Sequence, residues 1–298
     1  MPKNQYDATD PRDSYPRPPF PSQPQDSTGS IFDMKPQPDH GEESYKGFGR
    51  MKGRKALVTG GDSGIGRAAA IAFAREGADV AISCLHADSE DAKSTLELLK
   101  SEGVNAQLYG ADNSDEQACI QLIADVVRDL GGIDVLVNNA GMQKQQPKIE
   151  DLDSDQFVKT FQTNVFGTFW LCKSALKYME AGDAIINVTS SQAYDPSPQL
   201  LDYASTKFAL RGFTQALAAQ VIERGIRVNA IAPGPFWTAL QPSGGQTDEK
   251  VQHFGEGAAL GRPGQPAEIG PAFVFLATNE SSYMTGETIG QTGGKPIA

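Results

Sequence analysis

The sequence predicts an α/β fold with a doubly wound parallel sheet, built as a single domain with an extended N-terminal arm. From Arg54 onward, short β-rich runs alternate with amphipathic helical segments. Strands separated by helices of this length imply right-handed βαβ crossovers and a parallel sheet covered on both faces. A glycine-rich turn directly follows the first strand, and the composition changes sharply near residue 50. These observations place one folded domain over residues 51–298 and an arm over residues 1–50.

The arm is predicted from its proline content. Nine of the nineteen prolines fall within the first forty residues, among Gln, Asp and Ser. Such a segment buries too little apolar surface to offset its ordering entropy, and it favours extended or polyproline conformations. Apolar residues are nevertheless spaced along it, from Tyr15 and Phe20 to Tyr45 and Phe48. The sequence leaves open whether the arm is a free tail or is docked on another surface.

The elements of the domain follow in chain order. Short apolar, β-branched runs such as KALVT, DVAISC, AIINVT and RVNAI predict strands. The predicted strands cover residues 55–59, 79–84, 105–109, 135–138, 184–189, 227–231 and 288–290. Helical periodicity between them predicts helices at about 64–76, 88–101, 115–130, 154–179, 204–223 and 267–277. Ligands of such sheets bind beyond the carboxyl ends of the strands, so the residues after each strand are the functional candidates.

The composition excludes several classes of protein. A formal net charge of −11 argues against nucleic-acid binding, which needs clustered Lys and Arg. No apolar run approaches the ~20 residues of a membrane-spanning helix, and we expect no signal peptide and no membrane partner. Three widely separated cysteines suit neither a disulfide framework nor a zinc site, and no metal is expected. We therefore expect a cytoplasmic protein.

A dinucleotide site is predicted where the first strand meets the first helix. Glycines there allow a sharp turn and a close approach of the backbone to a pyrophosphate. The helix N-terminus then directs N–H groups and the positive end of its dipole at the phosphates. This strand–turn–helix order predicts a Rossmann-like domain. The expected cofactor contacts are Gly60, Asp62, Ser63, Gly64, Ile65 and Gly66.

The end of the second strand bears on the choice between NAD and NADP. An acidic residue there would bind the ribose hydroxyls of NAD, and a basic residue would favour the 2′-phosphate of NADP. The stretch Ser83–His86 supplies neither, although His86 is an expected contact. The sequence slightly favours NAD and leaves NADP open, because the nearby charges are acidic: Asp62, Asp88, Glu90 and Asp91. After the fourth strand, Asn139, Ala140 and Gly141 are expected beside the nicotinamide ribose.

The candidate catalytic set is Ser190, Tyr203 and Lys207. Tyr203 and Lys207 are four residues apart and share one face of a helix. An ammonium close to the phenol is expected to lower its pKa from about 10, as a general acid–base tyrosine requires. Ser190 closes the fifth strand, where its hydroxyl could bond a carbonyl or an alkoxide. A Tyr-x-x-x-Lys pair alone is also typical of an ordinary helix surface.

Together these motifs resemble the single-domain branch of the short-chain dehydrogenase/reductases, whose glycines are spaced Thr-Gly-x-x-x-Gly-x-Gly. The resemblance covers about residues 51–295 and implies hydride transfer between NAD(P) and an alcohol or carbonyl. It implies that Ser190 binds the substrate, that Tyr203 is the general acid–base, and that Lys207 also binds the nicotinamide ribose. It further implies a water-ordering role for Asn164, and cofactor contacts for Tyr203, Asp112, Pro233, Gly234 and Thr238.

A closer resemblance is to bacterial and plant enzymes of this family with a proline-rich arm, some described as glucose/ribitol-dehydrogenase-like. The matching residues are Met34-x-Pro36-x-Pro38-Asp39-x-Gly41-Glu42, the segment 59–67 and the segment 232–238. This resemblance implies a homotetramer whose arm reaches a neighbouring subunit.

The substrate, a small molecule, stays open. The expected pocket mixes polar and aromatic groups: Gln143, Ser190, Gln192, Tyr194, Tyr203 and the loop from Phe236 to Gln246. The alternative function is a catalytically silent cofactor-binding sensor or structural protein. The nucleotide-sugar branch of the superfamily is disfavoured, because its glycine spacing differs and it carries a C-terminal substrate domain.

Overall fold

A single seven-stranded parallel sheet forms the centre of the protein. The structure is a computed structural model that describes residues 4–26 and 29–297. The strands are β1 (Lys55–Thr59), β2 (Asp79–Cys84), β3 (Ala106–Gly110), β4 (Val135–Asn138), β5 (Ala184–Val188), β6 (Arg227–Pro233) and β7 (Thr288–Gln291). Their order is β3-β2-β1-β4-β5-β6-β7, so the direction of winding reverses between β1 and β4. The predicted doubly wound, Rossmann-like sheet is confirmed.

Eight α-helices in the described residues surround the sheet. They are α1 (Gly64–Arg75), α2 (Glu90–Ser101), α3 (Glu116–Leu130), α4 (Ser154–Phe161), α5 (Gly167–Ala175), α6 (Leu201–Val221), α7 (Asp248–Gln252) and α8 (Pro266–Ala277). Side chains of β1 alternate between two cores. Ala56 and Val58 pack with α1, α2 and α8, whereas Leu57 packs with α3, α5 and α6. With both faces apolar, polar residues gather at the carboxyl edge.

One predicted helix is not regular. The sequence predicts a single helix over 154–179, but the segment Gln162–Phe166 between α4 and α5 is π-helical, and α5 ends at Ala175. A π-helical turn is a single wide turn within an otherwise α-helical segment, and the helical patterns on either side of it still predict one continuous helix. The turn contains Asn164, which is buried.

The arm is docked on its own chain over the residues described. Tyr15, Phe20, Ile31 and Met34 are all buried. The last residues of the arm are held by Glu76, which follows α1 and is fully buried. Its carboxylate accepts hydrogen bonds from the Tyr45 hydroxyl at 2.8 Å and from the Arg50 guanidinium at 2.6 Å. Ordering this segment is therefore offset by apolar burial and charged hydrogen bonds.

Candidate active site

The predicted functional residues meet in one cleft at the carboxyl edge of the sheet. It has a volume of about 1950 Å³. Gly66 and Asn164 lie behind its wall. The other predicted residues line it: Gly60, Asp62, Ser63, Gly64, Ile65, His86, Asp112, Asn139, Ala140, Gly141, Gln143, Ser190, Gln192, Tyr194, Tyr203, Lys207, Pro233, Gly234, Phe236 and Thr238.

The glycine-rich turn has the shape that a pyrophosphate requires. Gly60 and Gly64 have φ of +61° and +52°, which side chains rarely tolerate. A Cβ on Gly66 would lie 1.9 Å from the Gly60 carbonyl oxygen, so only glycine fits there. Ser63 precedes α1 without its side chain capping the helix. The turn therefore leaves the helix N-terminus open toward the cleft and fits a bound anion.

Asn139, which directly follows β4, holds the glycine-rich turn in place by hydrogen bonds. Its side-chain amide donates to the carbonyl oxygens of Thr59 at 2.9 Å and of Gly60 at 3.0 Å. Two residues later, a Cβ on Gly141 would lie 3.4 Å from Asn164 Oδ1 and 3.5 Å from Lys207 Nζ. Small residues after β4 thus leave room beside the Lys207 side chain. The glycine turn and the residues after β4 therefore fit a dinucleotide that lies along the carboxyl edge of the sheet.

Ser190, Tyr203 and Lys207 are adjacent in the structure. Tyr203 and Lys207 lie on α6, with Lys207 Nζ 5.4 Å from the centre of the Tyr203 ring. The lysine donates to the Val188 carbonyl at the end of β5, at 2.8 Å. Ser190 follows that strand and hydrogen-bonds the Tyr203 side chain. The three groups therefore face one point of the cleft.

The pKa values of this set differ from the sequence prediction. Burial raises the pKa of Tyr203 to about 12, against the opposing effect of the Ser190 hydrogen bond. The predicted lowering of this pKa is wrong for the chain as it stands, because burial outweighs the Ser190 hydrogen bond. Burial also lowers the pKa of Lys207 to about 8. Near neutral pH, Tyr203 is therefore a proton donor and Lys207 is largely charged.

Asn164 is held by three hydrogen bonds behind the cleft. Its Oδ1 accepts from the Met142 N–H at 2.7 Å, and its Nδ2 donates to the Met142 carbonyl and to Thr206 Oγ1, both at 3.0 Å. The π-helical turn thereby links the loop after β4 to α6 one residue before Lys207. Nδ2 donates both of its hydrogens in these bonds, whereas Oδ1 accepts one bond from the described residues and has a second lone pair free. No sequence signal marks Met142 and Thr206 as its partners.

Acidic groups surround the other end of the cleft. Burial raises the pKa of Asp62, and the charge of Asp91 adds to this effect. Asp88, Glu90 and Asp91 line the same region beyond β2. Asp112, after β3, pairs with Lys159 at 3.1 Å. Burial opposes ionisation of Asp112, but hydrogen bonds from Ser114 and Lys159 outweigh it and lower its pKa.

Comparisons with known proteins agree with this geometry. A family model described as enoyl-(acyl carrier protein) reductase matches residues 60–295. The uncharacterized oxidoreductase YghA of Escherichia coli is 51% identical over 97% of this chain and 98% of its own. The glucose and ribitol dehydrogenase of Daucus carota is 43% identical over 92% and 96% of the two chains.

A solved structure is also similar. The short-chain dehydrogenase of Burkholderia cenocepacia, in complex with NADP, has a TM-score of 0.75 and 31% identity, and the match covers 82% of this chain and 98% of that one. This chain belongs to the short-chain dehydrogenase/reductase family. As a member of it, the protein is an NAD(P)-dependent oxidoreductase.

Two loops of this short-chain dehydrogenase/reductase carry the residues that are predicted to bind the substrate. Gln192 Oε1 accepts from the Ser197 N–H at 2.6 Å, and the Tyr194 ring packs on the Arg211 guanidinium at 4.5 Å. Opposite them, Phe236 is buried, and Thr238 lies where a Cβ on Gly64 would contact it at 3.1 Å. Thr238, in the loop after β6, therefore lies against the glycine turn.

Some lining residues were missed by sequence reasoning. Lys295, after β7, forms an ion pair with Asp195 at 3.5 Å across the mouth of the cleft. The rule that site residues follow strands could have found Lys295. Gly29, Ser30 and Asp33 of the arm also line the cleft. No strand precedes them in residues 4–26, the part of the chain before them that the structure describes, so that rule has no means of placing them there.

Neither a membrane-spanning helix nor a metal-binding cluster is present among the described residues. No helix there combines the length and apolar character needed to cross a bilayer. Likewise, no group of three or more His, Cys, Asp or Glu in that part of the chain could hold a metal ion.

Proposed function

We propose that this protein transfers a hydride between a nicotinamide cofactor and an alcohol or carbonyl, with Tyr203 as the general acid–base. The observation that carries the proposal is the set of buried Ser190, half-buried Tyr203 and buried Lys207 in one cleft with the glycine turn. Gly60, Gly64 and the N-terminus of α1 would hold the pyrophosphate, and Lys207 with Asn139–Gly141 would hold the nicotinamide side.

Each polar side chain of this set has a distinct role in the proposed hydride transfer. The nicotinamide, when bound, supplies or accepts the hydride. In the direction of reduction, Tyr203 Oη donates a proton to the substrate oxygen, and Ser190 hydrogen-bonds the same oxygen. The Lys207 ammonium stabilises the tyrosinate that forms, and Asn164 orders the water that returns the proton. Oxidation follows the same steps in reverse.

Substituting the tyrosine tests this proposal. Tyr203→Phe keeps the ring and removes only the proton donor, so kcat for carbonyl reduction is expected to fall about 10²–10⁴-fold while cofactor binding is retained. Tyr178→Phe, at an exposed tyrosine of the surface, is the matched control and should leave kcat unchanged. The assay follows the reduction of simple aldehydes and, in the reverse direction, the oxidation of glucose and ribitol, because the carrot relative is named for the latter two.

The same assay separates the alternative function. A catalytically silent sensor or structural protein would bind the cofactor but turn over no substrate in any variant. Equal turnover by wild type and Tyr203→Phe would instead show that another group moves the proton.

We further propose a slight preference for NAD. The acidic groups at the ribose end, Asp62, Asp88, Glu90 and Asp91, compensate a 2′-phosphate poorly. The complex of the Burkholderia cenocepacia relative with NADP favours NADP instead. A comparison of the two dissociation constants distinguishes these alternatives. Calorimetric titration with NADH and NADPH side by side should give the lower Kd for NADH. A lower Kd for NADPH would overturn the preference and leave the hydride-transfer proposal intact.

We also propose that the protein is a cytoplasmic homotetramer. The three cysteines of the chain are all free and buried, as is usual in a reducing compartment. An apolar face on α4–α6 supports self-association and is argued below. Fractionation of cells that produce the protein tests the location.

A further inference from the structure

The N-terminal arm forms part of the rim of the cofactor cleft. Gly29, Ser30 and Asp33 line the cleft on the side of Leu85 and His86, which follow β2. This is the side where the adenosine ribose of a dinucleotide would lie. The residues 29–33 are called the clasp below.

One attachment of the clasp is to α2. Asp91, in the first turn of that helix, is only 5% exposed. Its Oδ1 accepts a hydrogen bond from Ser30 Oγ at 2.9 Å, and its Oδ2 accepts one from the Ile31 N–H at 2.9 Å. Both oxygens of this carboxylate are therefore engaged by the arm. One of the acidic residues near the expected ribose position therefore holds the clasp.

The other attachment is to the substrate loop, residues 234–258. A Cβ on Gly29 would lie 2.8 Å from Ser243 Cβ and 3.2 Å from the Ala239 carbonyl oxygen, and Gly29 has a φ of +54°. Only glycine therefore allows the arm to approach the loop this closely. The clasp thus spans the cleft rim from the loop to α2.

An apolar cluster keeps the arm and the loop together. Phe20, Ile31 and Met34 of the arm pack with Trp237 and Val251 of the loop. Trp237 is fully buried, and its Nε1 donates to the Pro36 carbonyl at 2.8 Å. Removing the arm would expose this cluster and release a loop that carries many cleft-lining residues.

We propose that the clasp is an element of the dinucleotide site, in which Ser30 and Asp33 form the outer wall of the adenosine ribose subsite. The proposal rests on the cofactor site proposed above. The exposed carboxylate of Asp33 extends the acidic rim of Asp62, Asp88 and Glu90. Asp33 is therefore a specificity-determining residue that disfavours a 2′-phosphate.

The first test uses two glycines of the arm. Gly29→Val pushes the clasp away from Ser243, and we expect the Kd for NADH to rise about tenfold or more by calorimetry. Gly49→Val is the matched control, since Gly49 has a similar φ of +79° with nothing within 4 Å of a Cβ. Equal Kd changes in the two variants, or none in either, would overturn the role of the clasp. Urea unfolding of both checks that they fold.

The second test needs no change of packing. Asp33→Lys replaces an exposed acid with a base, and the ratio of Kd for NADH to Kd for NADPH should rise about tenfold. Glu43→Lys makes the same charge change at an exposed arm residue that does not line the cleft, and it should leave the ratio unchanged. An unchanged ratio in Asp33→Lys, with wild type binding both cofactors, overturns this proposal alone. Binding of neither cofactor by wild type would instead count against the proposed function.

Discussion

At the scale of single residues, burial shifts the pKa values of Tyr203 and Lys207 in opposite directions. Tyr203 and Lys207 are one helical turn apart, and a sequence argument expects the ammonium to acidify the phenol. Both groups are withdrawn from water, so burial raises the pKa of the phenol to about 12 and lowers that of the lysine to about 8. The site thus holds the neutral phenol of Tyr203 beside the Lys207 ammonium, whose charged form is destabilised by burial.

Because burial destabilises the charged form of Lys207, we predict that removing this lysine raises the stability of the fold and abolishes activity. The pKa of Lys207 is lower in the folded chain than in the unfolded one, so burial costs the folded state free energy while the lysine is charged. Lys207→Met removes that cost but also a hydrogen bond to Val188. At pH 7 we expect a gain of about 2 kcal/mol in the free energy of unfolding, together with loss of turnover.

The sign of the pH dependence follows from the same shift. Between pH 8 and about 10.5 the unfolded chain binds more protons at Lys207 than the folded chain does, so the wild type recovers stability as pH rises. The advantage of Lys207→Met in urea unfolding should therefore shrink from pH 7 to pH 9.5. Lys177→Met, at an exposed lysine, controls for the loss of a surface charge. A variant less stable than wild type at pH 7 would contradict burial as the cause.

At the scale of elements, the site is an assembly of strand ends and one irregular helix. Each of β1, β4, β5 and β6 delivers polar residues to the same edge because parallel strands end together there. The π-helical turn at Gln162–Phe166 adds a residue to the face of α4 and α5. Asn164 can thereby bond both Met142 and Thr206, which fixes the loop after β4 against α6.

The same elements explain what sequence reasoning could and could not predict. Strands and their polar ends were predictable, because apolar runs followed by Gly60, Asn139 or Ser190 depend only on local sequence. The π-helical turn was not, since its apolar spacing matches that of an α-helix. The docking of the arm was not predictable either. It depends on the contact between Gly29 and Ser243, which are over two hundred residues apart.

At the scale of the whole molecule, an apolar face on the outside of the chain predicts self-association. Phe166, Phe169, Leu201 and Phe208 are each at least 38% exposed, and they lie beside or on α5 and α6. Exposed aromatic groups clustered on neighbouring helices are typical of subunit interfaces. We therefore expect light scattering to give four times the chain mass for wild type.

A matched pair of substitutions tests which surface joins the subunits. Phe208 and Phe48 are both 62% exposed, but Phe208 lies on α6 and Phe48 lies on the arm. Phe208→Glu places a charge in the apolar face and should yield dimers or monomers, because an unpaired charge is costly to bury. Phe48→Glu should remain tetrameric, since the described arm is docked on its own chain. Dissociation by Phe48→Glu alone would mean that the arm, and not the helical face, holds the assembly together.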